Sequence, residues 1–128
     1  MDSKYEVSVR EKVVVQGEAA ICWSVYSHRF GMAFVFDGGK TGITMIDAGS
    51  GRIQGTIQGA AETKGNLDAQ TYGHYMYVLN GAAFVSVVDY SGLAWGGMAK
   101  EVQNYDLSAL GSRQGFQGMA VYPSGEGW

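Results

Sequence analysis

Apolar and polar positions alternate in short runs along this chain. Residues 5–10 alternate regularly, and residues 12–15 are mostly valine. Further short apolar runs follow, separated by glycine-rich stretches, over residues 21–26, 32–36, 43–47 and 52–57. Runs of this length that are rich in β-branched and aromatic residues and bounded by glycine are typical of strands joined by tight turns. The pattern therefore predicts an antiparallel meander of short strands.

The same pattern recurs further along the chain. Ala33-Phe34-Val35 is matched 43 residues later by Met76-Tyr77-Val78, and residues 43–47 are matched 42 residues later by 85–89. Residues 22–26 are echoed by 67–72 and again by 118–122. A four-stranded unit that repeats at about 40 to 50 residues is typical of β-propeller blades. The predicted fold is thus all-β, with antiparallel four-stranded blades of an incomplete β-propeller.

The repeat divides the chain into about two blades with flanking strands. Residues 1–19 would supply strands of a preceding blade, 20–65 and 66–117 one blade each, and 118–128 the inner strand of a following blade. Propellers usually need four or more blades, since each blade buries its faces on its neighbours. Three interpretations stay open at this point: part of a larger propeller, a ring made with copies of the chain, or a small β-sandwich.

The stretch FDGGKTGI at residues 36–43 contains the letters of a phosphate-binding loop. That motif is G-x-x-x-x-G-K-[S/T] and must be followed by a helix. Here Phe34 stands where the first glycine belongs, and three of the six residues that follow the motif are β-branched, which favours a strand. The stretch is therefore predicted to be a hairpin loop over 37–42. Residues 79–83 are its counterpart, where Asn80-Gly81 is a strong hairpin signal.

Composition narrows the class of partner. The chain has 128 residues, 20 of them glycine, and a formal net charge of −3. Its lysines and arginines are scattered singly, which excludes the clustered basic face of a nucleic-acid-binding protein. It also has no basic amphipathic helix, so a membrane partner is not expected. The charged, alternating first fifteen residues do not form a signal peptide, and the compartment is left unassigned.

Cysteine and histidine offer little metal or redox chemistry. Cys22 is the single cysteine and lies in an apolar run, which predicts a buried structural thiol. His28 and His74 are the only histidines, and both fall in predicted turns between first and second strands. No third cysteine, histidine or acidic residue lies at a sequence spacing from them that is typical of a metal site. We therefore expect neither a metal nor a cofactor.

Several stretches resemble fungal seven-bladed β-propeller proteins that are distantly similar to 3-carboxymuconate lactonizing enzyme and to lactonase-type propellers. They are residues 20–27, 33–35, 99–107 and 117–122, the last reading Gln-Gly-Met-Ala-Val-Tyr. That last stretch lies near the C-terminus in the family, so the resemblance implies that the chain matches the final third of a full member. It also implies a secreted protein. The catalytic histidine and arginine residues of the lactonizing enzyme match no specific position here.

Propeller sites usually lie at one mouth of the central channel, among the loops between blades and between second and third strands. Those loops are 37–42, 59–66, 79–83 and 110–117. Lys64 and Arg113 are candidates to hold a carboxylate, and Asp68 is a candidate general base. The other polar residues near this mouth are Asp37, Lys40, Glu62, Asn66, Asn80, Gln114 and Gln117.

Three functional hypotheses follow. The first is a binding or scaffold module without catalysis by this chain alone, which associates with copies of itself or with missing blades and takes a small organic ligand. The second is a lactonase- or isomerase-like enzyme acting on a small organic acid or lactone, which requires Lys64, Asp68 and Arg113 to converge. The third is a carbohydrate-binding module, which requires Trp23 or Trp95 to face solvent.

Overall fold

The chain folds into two four-stranded antiparallel sheets, which confirms the predicted all-β class. The computed structural model describes residues 7–59 and 64–122. Sheet 1 contains β1 Ile21–Ser27, β2 Met32–Asp37, β3 Ile43–Asp47 and β4 Ile53–Ile57, and sheet 2 contains β5 Asn66–Tyr72, β6 Tyr75–Asn80, β7 Phe84–Asp89 and β8 Lys100–Asp106. Helix in the described residues is limited to short 3-10 turns at Ser91–Trp95, Ser108–Leu110 and Arg113–Gly115. None of these turns is long and apolar enough to cross a membrane.

The strands of sheet 1 lie within one residue of the positions that the sequence predicts. The stretch at 37–42 is a hairpin loop as expected, because β2 and β3 pair antiparallel from Phe36 and Ile43 outward. The flanking segments differ from the prediction: residues 7–20 and 116–122 form no strand. A strand is stabilised by pairing with a neighbour, and no strand of the described part of the chain pairs with either segment.

The two sheets repeat each other down to their irregularities. Each has one register shift between its first two strands and another between its last two. The shifts fall at Ile21/Trp23 and Met45/Ile46 in sheet 1, and at Asn66/Asp68 and Val87/Val88 in sheet 2. A β-bulge bends its strand and increases the local twist. Two sheets bulged at corresponding positions therefore share one shape, in agreement with the sequence repeat.

A single apolar core joins the two sheets. Sheet 1 contributes Phe34 and Phe36, and sheet 2 contributes Met76 and Val78, all fully buried. Tyr90, just after β7, places its ring 5.3 Å from the rings of both Phe30 and Phe34. Burial of each such side chain contributes about 1.5–3 kcal/mol. The sheets therefore depend on each other for most of their stability.

The two sheets stack like two copies of one unit placed one behind the other. The front face of one unit therefore packs on the back face of the other. Paired residues on neighbouring strands share a face. The row Trp23, Phe36, Ile43, Ile57 lies on the face of sheet 1 that packs on sheet 2, which we call its core face. The corresponding row in sheet 2, Asp68, Leu79, Val85, Tyr105, lies on the outer face, away from sheet 1. Each core face thus corresponds by repeat to the other sheet's outer face.

Gly65 lies where the two sheets come closest at one rim. Its φ is +91°, and a Cβ at this position would overlap the backbone carbonyl group of Gly38. Its own carbonyl accepts a hydrogen bond from the Gly81 N–H at 2.9 Å. Only glycine satisfies both the backbone conformation and this close approach.

Gly65→Ala should therefore lower the free energy of unfolding by about 3 kcal/mol, because strain and overlap add. Gly73→Ala is the matched control, since Gly73 also has a positive φ (+62°) but open space at its Cβ position. That variant should lose only about 1 kcal/mol. Urea unfolding measures both, and equal losses would contradict the close approach of the sheets.

Candidate functional site

Four loops meet at one rim of the two sheets and enclose a cleft of about 350 Å³. They are the β2–β3, β4–β5 and β6–β7 connections and the segment that follows β8. The cleft is lined by Gly38, Lys64, Leu67, Gly81, Gln114, Phe116 and Gln117. We call it the mouth cleft. These are the four loops in which the sequence places the site.

The base of the mouth cleft is held by backbone hydrogen bonds. The Gly38 N–H donates to the Ala20 carbonyl at 2.7 Å, and the Gly81 N–H donates to the Gly65 carbonyl at 2.9 Å. These two corresponding bonds fix the loops of both sheets against the chain that enters each sheet. Of the lining residues, Lys64, Gln114 and Gln117 have polar side chains, and the Gln117 Nε2–H donates to the Gln114 carbonyl at 3.2 Å.

Asn66 and Asn80, two of the polar residues predicted near this mouth, have structural roles instead. Both are buried. The Asn66 Nδ2 donates to the Thr41 carbonyl at 3.2 Å and so ties sheet 2 to a loop of sheet 1. The Asn80 Oδ1 accepts the Ala82 N–H at 3.1 Å and holds the β6–β7 turn. The bonded Asn66 nitrogen and Asn80 oxygen stabilise the rim, whereas the buried Asn80 Nδ2 has no hydrogen-bond partner among the described residues. Neither side chain lines the cleft.

Asp68 lies behind the mouth cleft, on the outer face of sheet 2. Its carboxylate is buried and accepts two backbone hydrogen bonds, from the N–H groups of Ala69 and Met119, both at 2.7 Å. A general base needs an oxygen within reach of the proton that it removes. Here each oxygen already accepts a backbone donor, so Asp68 anchors the segment that contains Met119.

The remaining candidates are distributed as follows. Lys64 is exposed and lines the mouth cleft. Arg113 opens the 3-10 turn Arg113–Gly115, but its side chain lies outside the described part of the structure, as does Glu62. The structure thus brings Lys64 to the cleft and places Asp68 behind it. For Arg113 it shows the main chain alone, next to the lining residue Gln114.

Asp37 and Lys40 line a different cleft, of about 470 Å³, between the β2–β3 loop and residues 15–18. The buried Asp37 carboxylate accepts the N–H groups of Ala19, Ala20 and Gly39 at 2.7, 2.9 and 2.8 Å. Burial alone would raise the pKa of this carboxyl. The three N–H donors and the nearby Lys40 charge outweigh burial, so the pKa of Asp37 lies below its ordinary value.

This carboxylate should make the protein sensitive to acid. Because its pKa is lower in the folded state, the ionised form stabilises the fold above the ordinary aspartate pKa, and this contribution is lost as the pH falls through the folded value. Asp37→Asn should therefore be less stable than the native chain at pH 7. The difference should shrink towards pH 2 in urea unfolding measured over a pH series. A difference independent of pH would contradict this role of the charge.

The opposite rim carries the two histidines. The His28 ring packs edge-on against Tyr26 at 4.7 Å, and His74 packs against Tyr75 at 4.2 Å. Over residues 7–59 and 64–122, no three histidine, cysteine, aspartate or glutamate side chains are grouped so as to hold a metal ion.

Cys22 corrects one expectation, since its thiol is exposed and not buried. It is the extra residue of the bulge between Ile21 and Trp23, where the alternation of the strand is interrupted. Leu67 holds the corresponding place in sheet 2, and there the extra residue lines the mouth cleft. Sequence analysis missed Leu67 and Phe116 as lining residues. The echo between residues 22–26 and 67–72 is the signal that relates the two bulges.

The two tryptophans considered for sugar stacking differ in their surroundings. Trp23 is partly exposed, and its Nε1–H donates to the Ala69 carbonyl at 3.3 Å, which ties β1 to β5. Trp95 is 78% exposed and ends the 3-10 turn Ser91–Trp95 in the β7–β8 connection. That connection lies at the rim opposite the mouth cleft.

No protein-family model matches the chain, and no curated protein or solved structure is significantly similar to it. The resemblance to fungal propellers and lactonase-type proteins therefore stays a prediction.

Proposed function

We propose that the chain forms two consecutive blades of a β-propeller and serves as a binding module. The observation that carries this proposal is the same-sense stacking of two sheets with corresponding bulges. The first strands, β1 and β5, lie together, and the loops of both sheets meet at one rim. A propeller repeats this arrangement around a central channel.

Both terminal segments support the same proposal. The segment after the last 3-10 turn is held to β5 at one point, where the Met119 N–H donates to the Asp68 carboxylate. Asp68 corresponds to Trp23, whose side chain ties β1 to β5 in a similar way. Residues 8–18 lie along sheet 1 beside Ile46 and Thr56. These are the places that the inner strand of a following blade and the outer strands of a preceding blade would take.

The chemistry of the mouth cleft suits a small organic acid. The Lys64 ammonium supplies a positive charge for a carboxylate, and Gln114 and Gln117 supply amide groups. Leu67 and Phe116 offer apolar surface to the carbon skeleton. The described lining residues include no carboxylate, imidazole or hydroxyl side chain. The lactonase- or isomerase-like alternative would have to use the Lys64 amine as its base or nucleophile, whereas binding of an acid needs only the charge of that side chain.

Lys64→Ala should weaken binding of a small dicarboxylic acid about two- to five-fold, the effect of removing an exposed charge pair. Isothermal titration of a panel of such acids, each paired with its neutral methyl ester, measures this change. Lys40→Ala is the matched control, because Lys40 lines the other cleft and its loss should leave the affinity unchanged. Equal affinities of native chain and Lys64→Ala for every acid would overturn the proposed ligand class.

The exposed Trp95 keeps carbohydrate binding as a second candidate function. Indole rings that face solvent stack on the apolar faces of sugar rings. If this function holds, Trp95→Ala should abolish the change in tryptophan fluorescence on titration with oligosaccharides, whereas Lys64→Ala should not affect it. Absence of any fluorescence change in the native chain would remove this candidate.

A further inference from the structure

Two outer faces are left when the sheets pack on each other. The outer face of sheet 1, here face A, has the rows Ser24, Val35, Thr44, Thr56 and Tyr26, Ala33, Ile46, Ile53. The outer face of sheet 2, here face B, has the rows Asp68, Leu79, Val85, Tyr105 and Gln70, Tyr77, Val87, Gln103. Asp68 is the only charged residue in these rows, and backbone donors already satisfy it. The adjoining row of face B adds Asp89 opposite Lys100, two opposite charges at one edge of the face. On face A, Asp37 lies at the end of β2, where backbone donors satisfy it. The centre of each face is therefore uncharged.

Faces A and B correspond to the two faces that already pack together inside the chain. On face B, Tyr77, Val85 and Val87 stand where sheet 1 places Phe34, Ile43 and Met45 in the core. On face A, Val35, Ala33 and Ile46 stand where sheet 2 places Val78, Met76 and Val88. The apolar character of each position is kept. Face B thus has apolar positions like those by which sheet 1 packs in the core, and face A has apolar positions like those of sheet 2.

The terminal segments each cover a different half of these faces. Of residues 117–122, Met119 lies at the β5 side of face B, where its N–H donates to Asp68. Residues 8–18 lie on the β3–β4 side of face A. The halves left open carry Tyr105 on β8, which is 57% exposed, and Tyr26 on β1, which is 45% exposed. In a pair of copies, residues 8–18 of one copy would cover the part of face B that residues 117–122 of the other copy leave open. Residues 117–122 would in turn cover the open part of face A.

Both terminal segments have exposed apolar side chains and backbone that pairs with no described strand. Val9 and Tyr122 are exposed apolar side chains at 86% and 94%, and no strand of the described part of the chain pairs with the backbone on either side. Extended segments with unpaired N–H and C=O groups are templates for pairing with another chain. Placed side by side between two copies, they would pair and bury these side chains.

We propose that copies of this chain associate head to tail, with face B of one copy toward face A of the next. Residues 117–122 of the first copy and 8–16 of the second then lie between them as strands of one shared sheet. The contact is heterologous, so it extends into a ring if its rotation closes. This inference rests on the proposed blade repeat and names a second copy as the partner.

Two single variants test the direction of the contact. Tyr26→Glu blocks face A and Tyr105→Glu blocks face B, and both side chains are already exposed, so folding should be little affected. The native chain should show a mass well above 13.7 kDa in light scattering after size exclusion. Each variant alone should be a monomer. An equimolar mixture of the two should form a complex of two chains, because each still offers one intact face.

Trp95→Glu is the control for general surface stickiness, since it removes an exposed ring outside both faces and should leave the native mass unchanged. Circular dichroism checks that each variant folds. A native chain that stays monomeric up to about millimolar concentration would overturn the proposal. So would a single-face variant that forms a dimer by itself, or a mixture that stays monomeric. A monomer that still binds the dicarboxylic acid would overturn association alone, and an assembly that does not bind it would overturn the ligand proposal alone.

Discussion

A four-stranded sheet with apolar side chains on both faces is stable only when other layers cover those faces, and this constraint governs the whole molecule. Sheet 1 turns Phe34 and Phe36 towards sheet 2 and leaves Ala33 and Val35 on its other side. Sheet 2 likewise turns Val78 towards sheet 1 and leaves Tyr77 on its other side. Because both sheets stack in the same sense, their packing covers one face of each sheet. The other face of each sheet still needs a layer to cover it. The terminal segments meet that demand only in part.

Close packing of this kind requires the two sheets to match in shape, and the bulges supply the match. A bulge at the start of β1 and of β5 bends each first strand at the same level. The rim beside them is then closed by Gly65, whose lack of a Cβ admits the Gly38 carbonyl group. The loops at this rim are consequently fixed by the same contacts that hold the sheets together. The mouth cleft is thus built on the backbone contacts that hold the two sheets together.

The sequence carries the fold more fully than the site, and the reason is physical. Strand bounds follow from apolar alternation and from the glycines between the runs, and repetition at offsets of 42 and 43 residues indicates the repeated four-stranded unit. The burial of Cys22 was wrongly predicted because a bulge reverses the alternation at one residue. The flanking strands were expected from alternation in residues 5–15, but a ladder also needs a partner, which local sequence does not report.

The polar residues of the rim show why the functional site is harder to predict from sequence than the fold. An asparagine or aspartate in a loop either holds backbone groups or faces a ligand, and sequence alone does not separate these roles. In this chain Asp37, Asn66, Asn80 and Asp68 all bind backbone groups. Lys64, Gln114 and Gln117 line the cleft from the β4–β5 connection and from the segment after β8, and of these the Gln117 side chain also donates to a backbone carbonyl. Loops within a sheet are fixed by its hairpins, whereas connections between sheets are free to vary in length and side chain. If the mouth cleft binds a ligand as proposed, the side chains that select it therefore come mainly from these two segments, and the strands and hairpins keep the shape that allows the sheets to stack.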